Sequence, residues 1–398
     1  MYGRINYVIL TLDGVRADAA RALGNPDLIT PHIDALCARG VSIRGALLSG
    51  GDRCFDRPAE AMMHTGRFLS GLTGEGEKIP ADHALLGGTL REAGYRTFGA
   101  GRWRIDPEAF SRSFESGEIH PEGGAASASR CADLACAFLK DAGEDPFFLY
   151  VGFGAPEKGS DVPDRFSSLY DPSALTLPFG LGDTEKNRLQ LRDAYSWISC
   201  QDEAAGRILE TIRALNLEDS TMVIVTALRG CSLGRHGVFG DVGWQDEYVR
   251  VPMVAAGPYA ARNDKGSAVI SFSGLFPTLC RLGGLPVPPT VQGRDYSICL
   301  AEPAGHAEDD HFFVWSDKVR GLMTARSARI ILRDGETYRL DRYDLRRDPN
   351  ETDPRHEGDP VDEVLDSTME EYSLVLEDRA SPAARAIWGS NQRRKGLE

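Results

Sequence analysis

Short apolar runs bounded by glycine or proline recur along the chain, at Tyr7–Leu12, Arg96–Ala100, Phe147–Phe153, Met222–Thr226 and Val251–Ala256. Runs of this kind predict strands buried on both faces, as in a parallel sheet. Helix-length amphipathic stretches separate them. In Pro31–Arg39, Thr30 is placed to cap, Pro31 suits the first helical position, Ile33, Leu36 and Cys37 form the apolar stripe, and Gly40 marks the stop. His83–Ala93, Arg130–Leu139 with Ser129 as its cap, and Arg192–Leu215 read the same way. Strand alternating with helix predicts an α/β fold, a mostly parallel sheet with helices on both faces.

From about Leu300 the texture changes to short polar segments such as Arg329–Leu332 and Thr337–Leu340, then a helix around Val361–Leu376 and a charged tail, Asn391–Glu398. The expected division is an α/β domain over 1–300 and a small α+β subdomain over 301–398. Of the 398 residues 42% are hydrophobic and 26% charged, a globular balance that excludes a disordered or fibrous chain. The formal net charge of −14 argues against nucleic acid as a partner. No apolar run reaches the roughly 18–20 residues of a membrane span, and no signal-peptide pattern precedes Tyr7, so the expected location is the cytoplasm. The 8 cysteines are scattered, with no CxxC pair, and are expected to be buried free thiols.

In an open α/β sheet, ligands gather beyond the carboxyl ends of the strands. Here those positions hold Asp13, Arg102, Arg104, Glu157 and Arg229. Charges of both signs meeting on one edge make either an ion-pair network or a site.

The sequence resembles the sulfatases of the alkaline phosphatase superfamily. The resemblance is carried by Val8-Ile9-Leu10-Thr11-Leu12-Asp13 with Arg16 and Asp18, Thr30-Pro31-His32-Ile33-Asp34-Ala35-Leu36, Thr65-Gly66-Arg67 and Leu90-Arg91-Glu92-Ala93-Gly94-Tyr95. It continues through Phe147-Phe148-Leu149-Tyr150, Ala155-Pro156, Leu233-Gly234-Arg235-His236-Gly237, Leu275-Phe276-Pro277-Thr278-Leu279 and Asp348-Pro349-Asn350-Glu351-Thr352. The resemblance implies a three-layer sandwich with a mostly parallel central sheet. It also implies a divalent cation held by carboxylates and a formylglycine nucleophile made from a Cys or Ser in a Cys-x-Pro-x-Arg motif, whose charge the cation stabilises.

Position by position, this chain departs from that pattern. Counting back from Thr65-Gly66-Arg67 puts Asp56 at the nucleophile position and Glu60 on the motif arginine. A carboxylate cannot become formylglycine, and Cys54, two residues away, lacks the maturation motif. Leu12 replaces one metal carboxylate and leaves Asp13 as the surviving ligand position, while Leu228 and Arg229 replace the second metal motif. The strand-end motif reads Gly101-Arg102-Trp103-Arg104, Glu157 stands for a histidine and Asp241 for a lysine. His236 survives, either as a substrate contact or as a structural histidine.

A hard cation such as calcium needs roughly six to eight oxygen ligands. An inward Arg229, protonated at any ordinary pH, would exclude it. The expectation is therefore an internal network in which Arg102, Arg104 and Arg229 pair with Asp13, Asp56, Glu60, Glu157 and Asp241, no cofactor being bound. Loss of one partner, as in Arg229→Ala, would remove ~3–5 kcal/mol. The leading reading is a catalytically inactive pseudosulfatase that binds a protein partner, an active sulfatase-like relative, or a ligand. The alternatives are an ester hydrolase with one calcium or magnesium ion in a rearranged site, with Asp56 or a metal-bound water as nucleophile, and a binding module for a cationic metabolite.

Overall fold

The computed structural model describes residues 5–48, 56–68, 78–120, 123–154, 162–240, 243, 245–303, 312–315, 319–323, 327–334 and 337–354. The chain runs β1 (Asn6–Asp13), α1 (Pro31–Arg39), β2 (Val41–Leu47), α2 (Asp56–Thr65), α3 (Leu86–Glu92), β3 (Arg96–Gly101), α4 (Pro107–Ser113), β4 (Ser116–Ile119), α5 (Ala125–Asp141), β5 (Phe147–Gly152) and α6 (Asp164–Ser167). Then follow α7 (Glu185–Ala214), β6 (Thr221–Arg229), α8 (Asp246–Val249), β7 (Arg250–Ala256), β8 (Asp264–Ser271), α9 (Leu275–Leu282) and α10 (Ser297–Ala301). Four strands close the described chain: β9 (Phe312–Trp315), β10 (Val319–Met323), β11 (Ser327–Asp334) and β12 (Thr337–Asp344).

Eight strands form one mixed sheet in the order β4-β3-β5-β1-β6-β7-β2-β8, and the last four form a second sheet in the order β12-β11-β10-β9. The fold is α/β. β1 lies at the centre, parallel to β5 and β6. Every residue of β1 and β5 is buried, which is why their sequences run apolar without alternation. Pairing of side chains follows the strand period of two. On β1, Tyr7 donates to the Leu279 carbonyl of α9 and Thr11 meets Tyr150 of β5. Helices α1, α5 and α7 pack together, α5 lying on β3 and β5 and α1 on β7, whereas α2 packs on β6, α3 and α9. The second sheet is antiparallel throughout.

Several sequence expectations are corrected. Val251–Ala256 lies in β7, which pairs antiparallel with both β6 and β2. An apolar run reports burial, and burial does not depend on strand direction. Ser129 does not cap α5; it lies inside a helix that begins at Ala125. α7 starts at Glu185, where Thr184 caps by accepting from the Asn187 amide at 3.2 Å. α3 starts at Leu86 rather than His83. Thr30 makes no side-chain cap on α1. Asp202 of α7 does so instead, accepting from the amides of His32 (3.2 Å) and Ile33 (2.8 Å). The helix expected at Val361–Leu376 and the tail lie outside the described residues.

The seven described cysteines are free, and all but the half-buried Cys231 are buried. Cys54 lies outside the described residues. No helix among the described residues is long and apolar enough to cross a membrane.

Candidate functional site

The carboxyl ends of β1, β3 and β6 deliver the site. At the end of β1 the pairing with β6 steps from Leu12↔Ala227 to Asp13↔Arg229, so Leu228 is the extra residue of a bulge. A bulge turns the following side chain, and here it sets Arg229 directly beside Asp13. The end of β3 needs a second backbone device. Gly101 has φ +96°, and a Cβ there would lie 2.1 Å from the Gly152 carbonyl oxygen of β5. Only glycine can make that close turn. Arg102 then continues the contact by donating its amide to Gly152 at 2.8 Å.

These turns bring three guanidiniums onto one carboxylate. Arg102 Nη1 lies 3.2 Å and Arg104 Nη2 2.7 Å from Asp13 Oδ2, while Arg229 Nε and Nη2 lie 3.0 and 2.9 Å from Oδ1. The Asp13 side chain is 5% exposed, against 29% for Arg102, 13% for Arg104 and 17% for Arg229. The carboxylate therefore sits at the floor with the guanidiniums over it. Such charge-assisted bonds are the strong class of hydrogen bond.

Glu60 is fully buried on α2. Its Oε2 accepts the Arg104 backbone amide at 2.6 Å and its Oε1 accepts the Tyr150 hydroxyl at 2.5 Å. The sequence expectation paired Glu60 with guanidinium charge. The structure adds two neutral donors, because α2 carries Glu60 behind the strand end. Arg104 links the two carboxylates, through its amide to Glu60 and through its side chain to Asp13. Burial, then the Glu60 charge, raise the Tyr150 hydroxyl well above its ordinary range, so it stays protonated and donates.

A further residue fixes Asp13 from behind. Gln201 of α7, fully buried, accepts the Asp13 amide at 2.8 Å and donates to the Asp13 carbonyl at 3.1 Å. Sequence reasoning missed it, although a signal was present. Gln201 and Asp202 interrupt the stripe Tyr195, Ile198, Ala205, Ile208 and Ile212, where the helical period calls for apolar side chains.

Among the described residues His236 makes no hydrogen bond or ion pair with Asp13 or the three arginines. It has φ +55°, its amide donates to the Phe179 carbonyl at 2.8 Å and its ring meets the Phe179 ring edge-on. Its Nε2 lies 3.2 Å from Glu247 Oε1, yet neither atom is aligned for a hydrogen bond. Asp56 opens α2, but its side chain, like Glu157 and Asp241, lies outside the described residues.

The arrangement does not fit a divalent cation. A metal at Asp13 would need carboxylate oxygens at roughly 2.0–2.6 Å, and both oxygens already accept from guanidiniums at 2.7–3.2 Å. Among the described residues no group of three or more His, Cys, Asp or Glu is arranged to hold a metal. Nor does the neighbouring thiol offer a nucleophile. Cys231 donates to the Gly14 carbonyl at 2.8 Å, and burial above all pushes its thiol up to about 12, whereas a reactive cysteine needs a lowered value.

Comparison with known proteins agrees with the geometry of the scaffold. The chain is 24% identical over 343 residues to the ulvan-active sulfatase of Formosa agariphila, covering 76% of this chain and 66% of that protein. It is 25% identical over 304 residues to the human N-sulphoglucosamine sulphohydrolase, covering 67% of this chain and 58% of that one. The chain thus spans less than two thirds of the length of these relatives. A solved protein in complex with its substrate D-glucosamine-2-N,6-O-disulfate superposes with a TM-score of 0.83 at 18% identity, over 95% of this chain and 99% of the other. The phosphonate monoester hydrolase of Agrobacterium radiobacter does so with a TM-score of 0.73 at 18% identity, over 94% and 95%. The sulfatase family model matches residues 5–285, and with the ordered motifs and the sheet they build, the chain belongs to the sulfatase family.

Proposed function

We propose that this sulfatase-family protein has given up ester hydrolysis and acts by binding, as a pseudosulfatase. One observation carries the reading: the carboxylate at the family's metal position, Asp13, is engaged on both oxygens by Arg102, Arg104 and Arg229. A guanidinium stays protonated at any ordinary pH, so the cluster cannot clear itself for a cation by losing a proton. The arginines also oppose a cationic metabolite at this place. The partner in this reading is an active sulfatase-family protein of the same cell.

Elemental analysis by inductively coupled plasma mass spectrometry, after incubation with calcium and magnesium and removal of the excess, tests the reading together with turnover of aryl sulfate and aryl phosphate esters. Background metal and background turnover are expected. Near-stoichiometric metal with turnover would return the protein to the hydrolases. Affinity purification from native lysate, with the captured proteins identified by mass spectrometry, tests the partner. Absence of any sulfatase-family protein among them would count against it.

A further inference from the structure

The Asp348–Thr352 turn, after β12, is not absorbed by the arginine cluster. It is built by its own aspartate: Asp348 Oδ2 accepts the amides of Thr352 (2.7 Å) and Asp353 (2.8 Å), and Oδ1 accepts the Thr352 hydroxyl (3.0 Å). Within it Glu351 takes φ +51°, a conformation that L residues hold only when their surroundings impose it. The result is to drive Glu351 inward, to 7% exposure. Its Oε2 accepts the Asp246 amide at 2.7 Å. That amide opens α8, whose N-terminus has no side-chain cap from its own flank. Beside it, Asn350 Oδ1 accepts from Arg235 Nη2 at 2.8 Å.

From α8 the contact continues to the site. Gly230 donates its amide to the Tyr248 carbonyl of α8 at 3.2 Å, and Gly230 directly follows Arg229. The loop between them carries Leu233 (φ +47°) and His236 (φ +55°) as well as Arg235. Strained backbone of this kind persists where contacts over-determine it, and the Asn350 and Phe179 contacts are among those that do so.

We propose that the Asp348–Thr352 turn is a proton-controlled brace, clasping α8 while Glu351 is protonated and releasing it, with the loop that carries Arg235 and His236, when Glu351 gives its proton to solvent. The groups facing Glu351 explain the sign. Asp246 and Glu247 of α8 are both carboxylates, and Glu247 is itself buried, beside the half-buried His236. Arg250 of β7 is the nearby cation, but it pairs with Asp246 at 2.5 Å. Asp348 lies on the turn itself, held by its own amides. Oε2 being the acceptor, the proton belongs on Oε1, which has no hydrogen-bond partner.

Burial first, then the Asp246 charge, push the Glu351 carboxyl from 4.5 up to about 8. A released, exposed Glu351 ionises at its ordinary value. Between 4.5 and about 8 the clasped state therefore holds a proton that the released state has lost. The clasp weakens about tenfold per pH unit across that range and no further above it.

Hydrogen exchange of the full chain from pH 5 to 9, corrected for intrinsic rates, tests this. Protection of the Asp246–Val249 and 350–353 amides should fall about tenfold per unit up to pH 8 and then level off, while α5 amides hold. Glu351→Gln keeps the acceptor and cannot ionise, so its protection should be flat. Wild-type protection that is flat, or that falls equally in α5, overturns the proposal, as does a Glu351→Gln protein that follows the wild-type curve. Asn350→Ala supplies a second variant: it should lower protection at every pH and leave the slope unchanged, and loss of the slope would overturn the role of Glu351.

Discussion

Asp13 is shared by three cations, and that asymmetry decides which substitutions matter. Removing one arginine leaves Asp13 with two guanidinium partners. Removing Asp13 takes the shared carboxylate from all three guanidiniums at once. Arg229→Ala should therefore lose about 1.5–3 kcal/mol, the worth of its charged hydrogen bonds, less than the ~3–5 kcal/mol expected when a partner's loss strands a lone buried charge. Asp13→Ala should lose more than Arg229→Ala, in the ~3–5 kcal/mol range or beyond. Urea unfolding of the two variants checks the order, and an Arg229→Ala protein less stable than Asp13→Ala would refute it. That Leu12, Leu228 and Arg229 close two apolar runs could be read from the sequence alone. The bulge that turns Arg229 onto Asp13 could not, because it depends on how two strands remote in sequence pair.

At the scale of elements, α1 shows local and tertiary signals diverging. Its boundaries, Pro31–Arg39, follow from the proline at its first position and the glycine after its last. Its cap comes from 169 residues away. Asp202 accepts two α1 amides, and since burial above all pushes its carboxyl up to about 6, it is ionised at neutral pH and suits the positive end of the helix. Asp202→Ala should lose about 1–2 kcal/mol, the upper part of the range for a lost cap. Thr30→Ala, whose hydroxyl accepts the Arg21 amide at 3.2 Å but caps nothing, should lose less. Thermal unfolding of both variants measures the difference, and the reverse order would show that Thr30 carries the helix end after all. Helix α8 repeats the theme, receiving its cap from Glu351.

For the molecule as a whole, pH acts at one wholly buried histidine. His64 is enclosed by Trp103, Phe114 and Tyr150, and neither ring nitrogen has a hydrogen-bond partner. Burial lowers its value from 6.5 to about 3. The unfolded chain therefore takes up a proton that the folded chain refuses. Folding stability contributed by the neutral ring is present above 6.5 and is lost as pH falls toward 3, by about 1.4 kcal/mol per unit. His64→Phe should fit the same aromatic enclosure and flatten that part of the acid limb. Unfolding free energies of both proteins between pH 4 and 7 check it, and parallel slopes would show that His64 does not set the limb.

The alternation of strand and helix, most of the buried thiols and the sulfatase family were legible in the sequence, because each is recorded in local pattern or in residues read one at a time. Burial marks a strand whatever its direction, so the apolar run at Val251–Ala256 was legible while its antiparallel pairing was not. The convergence of Arg102, Arg104 and Arg229 on Asp13 follows from strand order, one bulge and the Gly101–Gly152 crossing. The amide clamp of Gln201, the Glu60 contacts with Tyr150 and the Arg104 amide, and the inward turn of Glu351 join segments far apart in the chain. Only the tertiary structure decided these, because a hydrogen bond is set by distances of a few ångströms, and linear sequence holds no measure of distance between remote residues.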